Sequence, residues 1–257
     1  QSQSNSGDEA SRPEAWAKNV ISVGGVQHTN TLDTGDDFWG GFTSIGPAED
    51  GRIKPDLCYW ADNIFTTYNV GYRPDFNGTS AATPQVAGVL GLVIQMWSEN
   101  VWGTDPVGDT VFDRRPHAAT AKALLINAAR PYPFSGADDD LTRVHQGWGR
   151  PSVRRAEERA ARSLVIDQER RLQLGETARW EVEVAAGAAE LRVTLVYPDP
   201  PGTLSADRHR INDLDLAVRP PGGSPVYHGN VGLDVGPWSQ SGGEPNRIDT
   251  VENVFVE

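Results

Sequence analysis

The chain has 257 residues, which is enough for one large or two modest globular domains, each with its own buried core. Its formal net charge of −12 argues against nucleic acid as a partner. No apolar run approaches the length of a membrane span, and Cys58, the only cysteine, cannot form an internal disulfide.

An apolar helix is predicted to follow the segment DFNGTSAATPQVAG (residues 75–88). Gly78 permits a tight turn and Pro84 suits a helix's opening turn, so Ser80 is predicted to lie at the helix N-terminus. Apolar side chains then recur at three- and four-residue spacing: Val86, Leu90, Val93, Ile94 and Trp97. Small residues that would let neighbouring backbones approach are Ala81, Ala82, Ala87, Gly88 and Gly91. We therefore expect a buried, anchored helix.

Ser80 has two interpretations on these residues alone. A serine before an apolar helix is most often an N-cap, which binds a free backbone N–H group. The same position also suits a nucleophile, because a rigid helix presents the hydroxyl and the free N–H groups of the first turn stabilise developing negative charge. The spacing leaves both interpretations open.

Longer motifs resemble those of the subtilisin-like serine proteases. GTSAATPQVAG (residues 78–88) matches the family's active-site serine motif, G-T-S-x-A-x-P-x-V-A-G, at every fixed position. Other similar segments are the buried strand AWAKNVISVGGV (residues 15–26), FTSIGPAEDGRIKPDL (residues 42–57), the late helix PHAATAKALLINAA (residues 116–129) and the closing signature QGWGR (residues 146–150). The resemblance covers most of residues 1–155. It implies an α/β fold, namely the C-terminal part of the subtilisin-like three-layer fold with its parallel sheet.

The resemblance also implies roles for two residues. Ser80 corresponds to the nucleophile of a serine endopeptidase. Asn5 corresponds to the oxyanion-hole donor, because QSQSNSG (residues 1–7) keeps the N-x-G pair of the family's A-A-G-N-x-G loop, although Gln3 and Ser4 replace the preceding Ala-Gly. The family's catalytic Asp and His precede this loop, so we expect both upstream of residue 1, in a longer protein.

The histidines of this chain lie outside the family's His-Gly-T-x-V-A-G context, so none is predicted to be the catalytic base. They are His28, His117, His145, His209 and His228. A serine without a base is a weak nucleophile, so this chain alone is expected to lack peptidase activity. Residues 59–62 replace the family's Ala-Pro-Gly turn, which predicts a reshaped loop beside the active site.

In the second part of the chain, apolar residues recur at every second position. RWEVEV (residues 179–184) and LRVTLVY (residues 191–197) alternate apolar with polar side chains, which predicts antiparallel sheet. NDLDLAVRPPGG (residues 212–223) and VENVFV (residues 251–256) resemble the β-sandwich that follows the protease domain in one branch of the family.

This change of period divides the chain into two predicted domains. Residues 1–160 would form the C-terminal part of the peptidase domain, closed by the charged stretch RRAEERAARS (residues 154–163). Residues 161–257 would form an antiparallel, jelly-roll-like β-sandwich, truncated within its last strand pattern.

Two acidic clusters are candidate ligands for structural calcium, which prefers carboxylate oxygens. Asp213 and Asp215 of NDLDL would share one face of a strand, and the ADDD run adds Asp138, Asp139 and Asp140. The alternative is that aspartates beside a turn only cap the backbone. The resemblance adds that family members often bind structural calcium, and it implies no cofactor for the chemistry itself.

Two functions from different classes follow from the sequence. One is a serine endopeptidase that cleaves protein or peptide substrates and, by family resemblance, is secreted or extracellular. The other is a non-catalytic subtilase relative that serves as a binding or structural module. A missing His or Asp in the full-length protein would favour the second, whereas the intact motif around Ser80 favours the first.

Overall fold

The computed structural model describes residues 1–9, 11–133, 141–168, 170–203 and 205–257. Its helices are α1 (Pro13–Trp16), α2 (Thr79–Ser98), α3 (Ala118–Asn127), α4 (Arg143–Gln146) and α5 (Val153–Ala160). Its strands are β1 (Val23–Val26), β2 (Leu57–Trp60), β3 (Ile64–Thr67), β4 (Tyr72–Phe76), β5 (Leu191–Val196), β6 (Ala217–Val218), β7 (Tyr227–His228) and β8 (Val251–Val256). Within the described ranges, no helix combines the length and the apolar character needed to cross a bilayer.

The strands β1 and β2 form a parallel pair, in register from Val23 opposite Leu57 to Val26 opposite Trp60. The chain start extends this pair, because Val23 exchanges backbone hydrogen bonds with Gln1 and Gln3. All four residues of β1 are buried, which confirms the strand predicted within residues 15–26. Parallel pairing of this kind is typical of a sheet covered on both faces.

Helices pack against both faces of the parallel pair. Val23 and Leu57 belong to the main apolar core, together with residues of α2. Successive side chains of a strand point to opposite faces, so Gly24 faces the other side of the sheet from Val23. A Cβ atom added to Gly24 would lie 3.3 Å from the His145 carbonyl oxygen, so α4 covers this second face. The helix–sheet–helix arrangement confirms the predicted α/β fold.

The helix α2 begins at Thr79, with Gly78 as its N-cap, so Ser80 lies in its first turn as predicted. Pro84 lies one turn further into the helix than predicted. Since proline has no backbone N–H, it cannot donate the helical hydrogen bond to the Ser80 carbonyl.

The prediction that α2 is buried holds for one side only. Val86 and Trp97 are buried in the core, as the periodicity predicted. Ala87, Gly88 and Gly91 are exposed, contrary to the prediction. The reason is that, apart from the neighbouring backbone of α2, the described residues place no atom within 4 Å of a Cβ built on Gly88 or Gly91, so no other element packs on these glycines.

A buried carboxylate joins the start of β2 to its neighbours. Asp56 Oδ2 accepts hydrogen bonds from Lys54 Nζ at 2.7 Å and from the Ser22 backbone N–H at 2.8 Å, and Asp56 Oδ1 lies 2.7 Å from Lys122 Nζ. Burial by itself would raise the pKa of Asp56, but the two ammonium groups outweigh it and lower the pKa to about 2. Burial lowers the pKa of Lys54 to about 8. The carboxylate therefore stays ionised and ties α3 to the base of the sheet.

The C-terminal strands β5 and β8 pair antiparallel, from Leu191 opposite Val256 to Val196 opposite Val251. This confirms the strands predicted from LRVTLVY and VENVFV. Phe255 of β8 packs edge-on against Trp148, with ring centroids 6.0 Å apart, so this pair adjoins the main core. The complete jelly-roll-like sandwich and the boundary at residue 160 stay predictions.

The strand predicted through residues 179–184 is wrong. Trp180, Val182 and Val184 lie outside any strand and are each more than half exposed. Alternation yields a strand only where a neighbouring strand receives its hydrogen bonds and a core covers its apolar face. No described strand pairs with this segment.

Glu252 of β8 is a fully buried carboxyl group. Its Oε2 atom accepts a hydrogen bond from the Leu216 backbone N–H at 2.8 Å, whereas Oε1 is buried without a hydrogen-bond partner among the described residues. Burial, aided by repulsion from Asp215 and Asp249, raises the pKa of Glu252 from its ordinary value of 4.5 to about 8.

We predict that Glu252→Gln raises thermal stability more at pH 8 than at pH 5. The folded protein keeps a proton on Glu252 that the unfolded chain releases, so stability is lost as the pH rises from about 4.5 to about 8. The amide keeps an acceptor for Leu216 and has no charge to desolvate. The melting temperature should rise by about 5 °C at pH 8 and by much less at pH 5. The control is Glu181→Gln, which removes an exposed carboxyl group. Equal gains at the two pH values would contradict the prediction.

Candidate active site

Hydrogen bonds between the loop at the chain start and the first residue of α2 place Asn5 beside Thr79, the chain neighbour of Ser80. Asn5 Oδ1 accepts from the Thr79 backbone N–H at 2.9 Å and lies 3.2 Å from the Thr79 hydroxyl. The Thr79 hydroxyl also lies 3.3 Å from the Ser4 carbonyl oxygen. The Gly78 N–H donates to the Ala61 carbonyl at 2.7 Å, which fixes the start of α2 to the residue that follows β2. The structure thus gathers the predicted donor and the predicted nucleophile at one edge of the parallel sheet.

Two hydrogen-bond donors remain free at this point. Because Asn5 Oδ1 is engaged, the side chain has its Nδ2 group left to donate, and Asn5 is exposed. Ser80 is exposed as well, and among the described residues neither its backbone N–H nor its hydroxyl has a hydrogen-bond partner. A free N–H in the first helical turn beside a side-chain amide is an arrangement that can stabilise an oxyanion.

The loop of Asn5 keeps a glycine-like conformation although serine stands where the family has glycine. Ser4 has a φ angle of 110°, in the left-handed region that side chains disfavour. Its carbonyl oxygen accepts a hydrogen bond from the Ser44 N–H at 3.0 Å, and the buried Gln3 donates to the Ser11 hydroxyl at 2.6 Å. A Cβ atom on Gly7 would lie 2.5 Å from the Gly41 carbonyl oxygen, which is too close for any side chain. The glycine of the N-x-G pair is therefore required at this position.

The strands β3 and β4 form an antiparallel hairpin that leads directly to Ser80. Phe65 and Tyr72 stack on its surface with ring centroids 5.4 Å apart, and each is 67% exposed. The Arg73 guanidinium lies 5.4 Å from the centre of the Tyr68 ring. This hairpin was not predicted, although IFTTYNVGYRPDF (residues 64–76) has the β-branched and aromatic residues around a turn that indicate one.

His28 and Asp62 form a side-chain pair that was not predicted from the sequence. His28 Nδ1 lies 2.7 Å from Asp62 Oδ1, and the His28 ring stacks on Trp60 at 5.0 Å. His28 follows β1 and Asp62 follows β2, and the carboxyl ends of parallel strands lie at the same edge of a sheet. Their positions after two parallel strands could therefore have predicted that the two side chains meet. In the described part of the chain, no histidine nitrogen forms a hydrogen bond with the Ser80 hydroxyl.

The structure describes two of the candidate calcium ligands, Asp213 and Asp215. Asp213 and Asp215 are exposed and lie before the short strand β6, not on a strand as predicted, because β6 begins only at Ala217. The Asp213 carboxylate is bound by the Arg210 guanidinium. No group of three or more metal-binding side chains occurs among the described residues. Asp138, Asp139 and Asp140 lie outside the described residues, and calcium binding at either cluster stays a prediction.

Two named proteases share parts of this sequence. A region of the serine protease/ABC transporter B family protein tagA of Dictyostelium discoideum is 25% identical over 217 residues, covering 74% of this chain and 12% of that protein. The serine protease AprX of Bacillus subtilis (strain 168) is 31% identical over 93 residues, covering 31% of this chain and 21% of that protein. The chain therefore spans well under half the length of either relative.

Solved structures of two proteases are similar to part of this chain. The prenylagaramide maturation protease PagA gives a TM-score of 0.44 at 20% identity, covering 63% of this chain and 50% of that one. The CspB protease of Clostridium perfringens gives a TM-score of 0.44 at 24% identity, covering 62% of this chain and 30% of that one.

The sequence profile of the Subtilase family (peptidase S8) matches residues 1–149. This match includes the Asn5 loop, both parallel strands and the Ser80 motif, and it covers more than half of the chain. The chain therefore belongs to the subtilase family of serine proteases.

Proposed function

We propose that the protein to which this chain belongs is a serine endopeptidase with Ser80 as its nucleophile. The observation that carries this proposal is the exposed Ser80 hydroxyl in the first turn of α2, beside an Asn5 amide that the Thr79 N–H holds at 2.9 Å. A hydroxyl on a rigid helix next to two oxyanion donors suits acyl transfer, with a protein or peptide as substrate.

In the proposed reaction, Ser80 Oγ attacks the carbonyl carbon of the scissile peptide bond while a histidine, oriented by an aspartate, takes the hydroxyl proton. The negative charge that forms on the carbonyl oxygen is stabilised by Asn5 Nδ2 and the Ser80 N–H. The histidine returns the proton to the departing amine, and water then hydrolyses the acyl-enzyme. We propose that the histidine and aspartate come from sequence upstream of residue 1.

We predict that Ser80→Ala abolishes both peptide hydrolysis and labelling by a fluorophosphonate in the full-length protein. The reagent reacts with an activated serine hydroxyl, which the alanine variant lacks. The matched control is Ser98→Ala at the other end of α2, where hydrolysis and labelling should persist. Labelling that survives in Ser80→Ala would place the nucleophile elsewhere.

The source of the base is tested with the same assay. Residues 1–257 alone should not hydrolyse casein, and activity should appear when the upstream part is added in trans. Activity of these residues alone that Ser80→Ala eliminates would show that a local histidine is the base, with the His28–Asp62 pair as the first candidate.

We predict that Asn5→Ala lowers kcat by about 10²–10³-fold and changes KM little, since an oxyanion donor acts mainly in the transition state. Steady-state kinetics of the full-length protein measure the effect. An unchanged kcat would exclude Asn5 from the site.

Gly78→Ala tests the geometry behind this role. Gly78 has a φ angle of 82°, and a Cβ atom there would lie 2.9 Å from Asn5 Nδ2, so the substitution should displace the amide and lower kcat. The control is Gly71→Ala, which has a similar φ of 89° but no atom within 4 Å of the added Cβ. In an Asn5→Ala background, Gly78→Ala should lower kcat by a smaller factor, because the amide is already absent. Equal losses in both backgrounds would mean that Gly78 acts independently of Asn5.

A further inference from the structure

A cavity of about 530 Å³, the α2 cavity, opens at the C-terminal end of α2. Trp97 and Trp102 are among its lining residues; both are buried, and their ring centroids lie 6.2 Å apart. A helix rises about 1.5 Å per residue, so Trp97 lies about 25 Å along α2 from Ser80. The α2 cavity is therefore separate from the serine site, and its volume falls within the range of ligand sites.

The rim of the α2 cavity exposes apolar surface. Val107 and Leu164 line it and are 88% and 60% exposed, respectively. Thr104 also lines it, and its buried hydroxyl has no hydrogen-bond partner among the described residues. A large apolar side chain placed here would remove the exposed apolar surface of Val107 and Leu164 from water, which favours binding.

The electrostatics of the α2 cavity favour a cation. Asp105 and Asp113 line it, and the partners that the structure shows for their carboxylates are neutral: the Asn100 amide at 2.8 Å and the Thr110 hydroxyl at 2.7 Å. Among the described residues, Arg115 is the only lysine or arginine that lines the cavity. The carbonyl end of α2 adds partial negative charge, and its last turn contains no basic residue.

We propose that the α2 cavity is a docking site for a cationic segment of another polypeptide. One large apolar side chain of that segment would pack against Val107 and Leu164, and flanking lysine or arginine side chains would face Asp105 and Asp113. The net charge of −12 disfavours a second copy of this chain and favours a basic partner. Docking here would tether a protein to the protease far from the bond that is cut.

The test is a binding measurement on the full-length Ser80→Ala protein, in which a bound peptide stays uncut and the outcome does not depend on Ser80 being the nucleophile. The probe is fluorescein-labelled Gly-Lys-Leu-Lys-Gly amide, followed by fluorescence anisotropy at low ionic strength. We expect saturable binding that weakens as salt is added. Probes with glutamate in place of lysine, or serine in place of leucine, should bind at least tenfold more weakly.

Variants of the cavity wall locate the binding. Asp105→Asn with Asp113→Asn should weaken binding at least fivefold, since the amides keep acceptors for Asn100 and Thr110 but remove both charges. Arg115→Glu should strengthen it. The matched control is Glu181→Gln with Glu183→Gln, which removes the same charge from exposed positions and should change binding little.

Three results would overturn the proposal. They are equal binding of the glutamate probe, unchanged binding in the double asparagine variant, and concentration-dependent dimerisation that Arg115→Glu abolishes. The last would identify a second copy as the occupant.

Discussion

The ionised carboxylate of Asp56, buried between two lysine ammonium groups, fixes the base of the parallel sheet. Lys54 and Lys122 each lie 2.7 Å from it, and the Ser22 N–H binds it from the start of β1. A buried charge is costly unless it is fully paired, and loss of one partner typically costs about 3–5 kcal/mol. The network therefore disfavours any other placement of β1, β2 and α3. Lys122 also donates to the Val20 carbonyl at 2.9 Å, which holds the segment that enters β1.

With the strands fixed at their base, their carboxyl ends define the opposite edge, where the candidate site lies. Ala61, directly after β2, accepts the hydrogen bond that starts α2, and Thr79 then binds Asn5 from the loop that precedes β1. The site thus depends on three chain segments that are distant in sequence. These contacts are a few hydrogen bonds, so the positions of the donors also depend on the rigidity of the sheet and helix behind them.

The two ends of α2 have opposite electrostatic character, which separates the proposed chemistry from the proposed docking. The N-terminal end presents the free backbone N–H of Ser80 and suits a developing oxyanion. The C-terminal end presents carbonyl groups near Asp105 and Asp113 and suits a cation. One helix of 20 residues therefore holds both features at a fixed separation. The exposed hairpin of Phe65 and Tyr72 lies on the side of the serine.

The sequence alone determined the features that depend on local rules. Gly78 and the apolar period predicted that Ser80 begins a helix, and alternation predicted β5, because turn chemistry and side-chain periodicity act over a few residues. Only the tertiary structure decided that the same alternation fails at Trp180, that one face of α2 is exposed, and that His28 meets Asp62. A strand needs a partner edge, a helix face needs a neighbour to bury it, and two distant side chains meet only when the sheet between them is paired. These are long-range conditions, and no local pattern contains them.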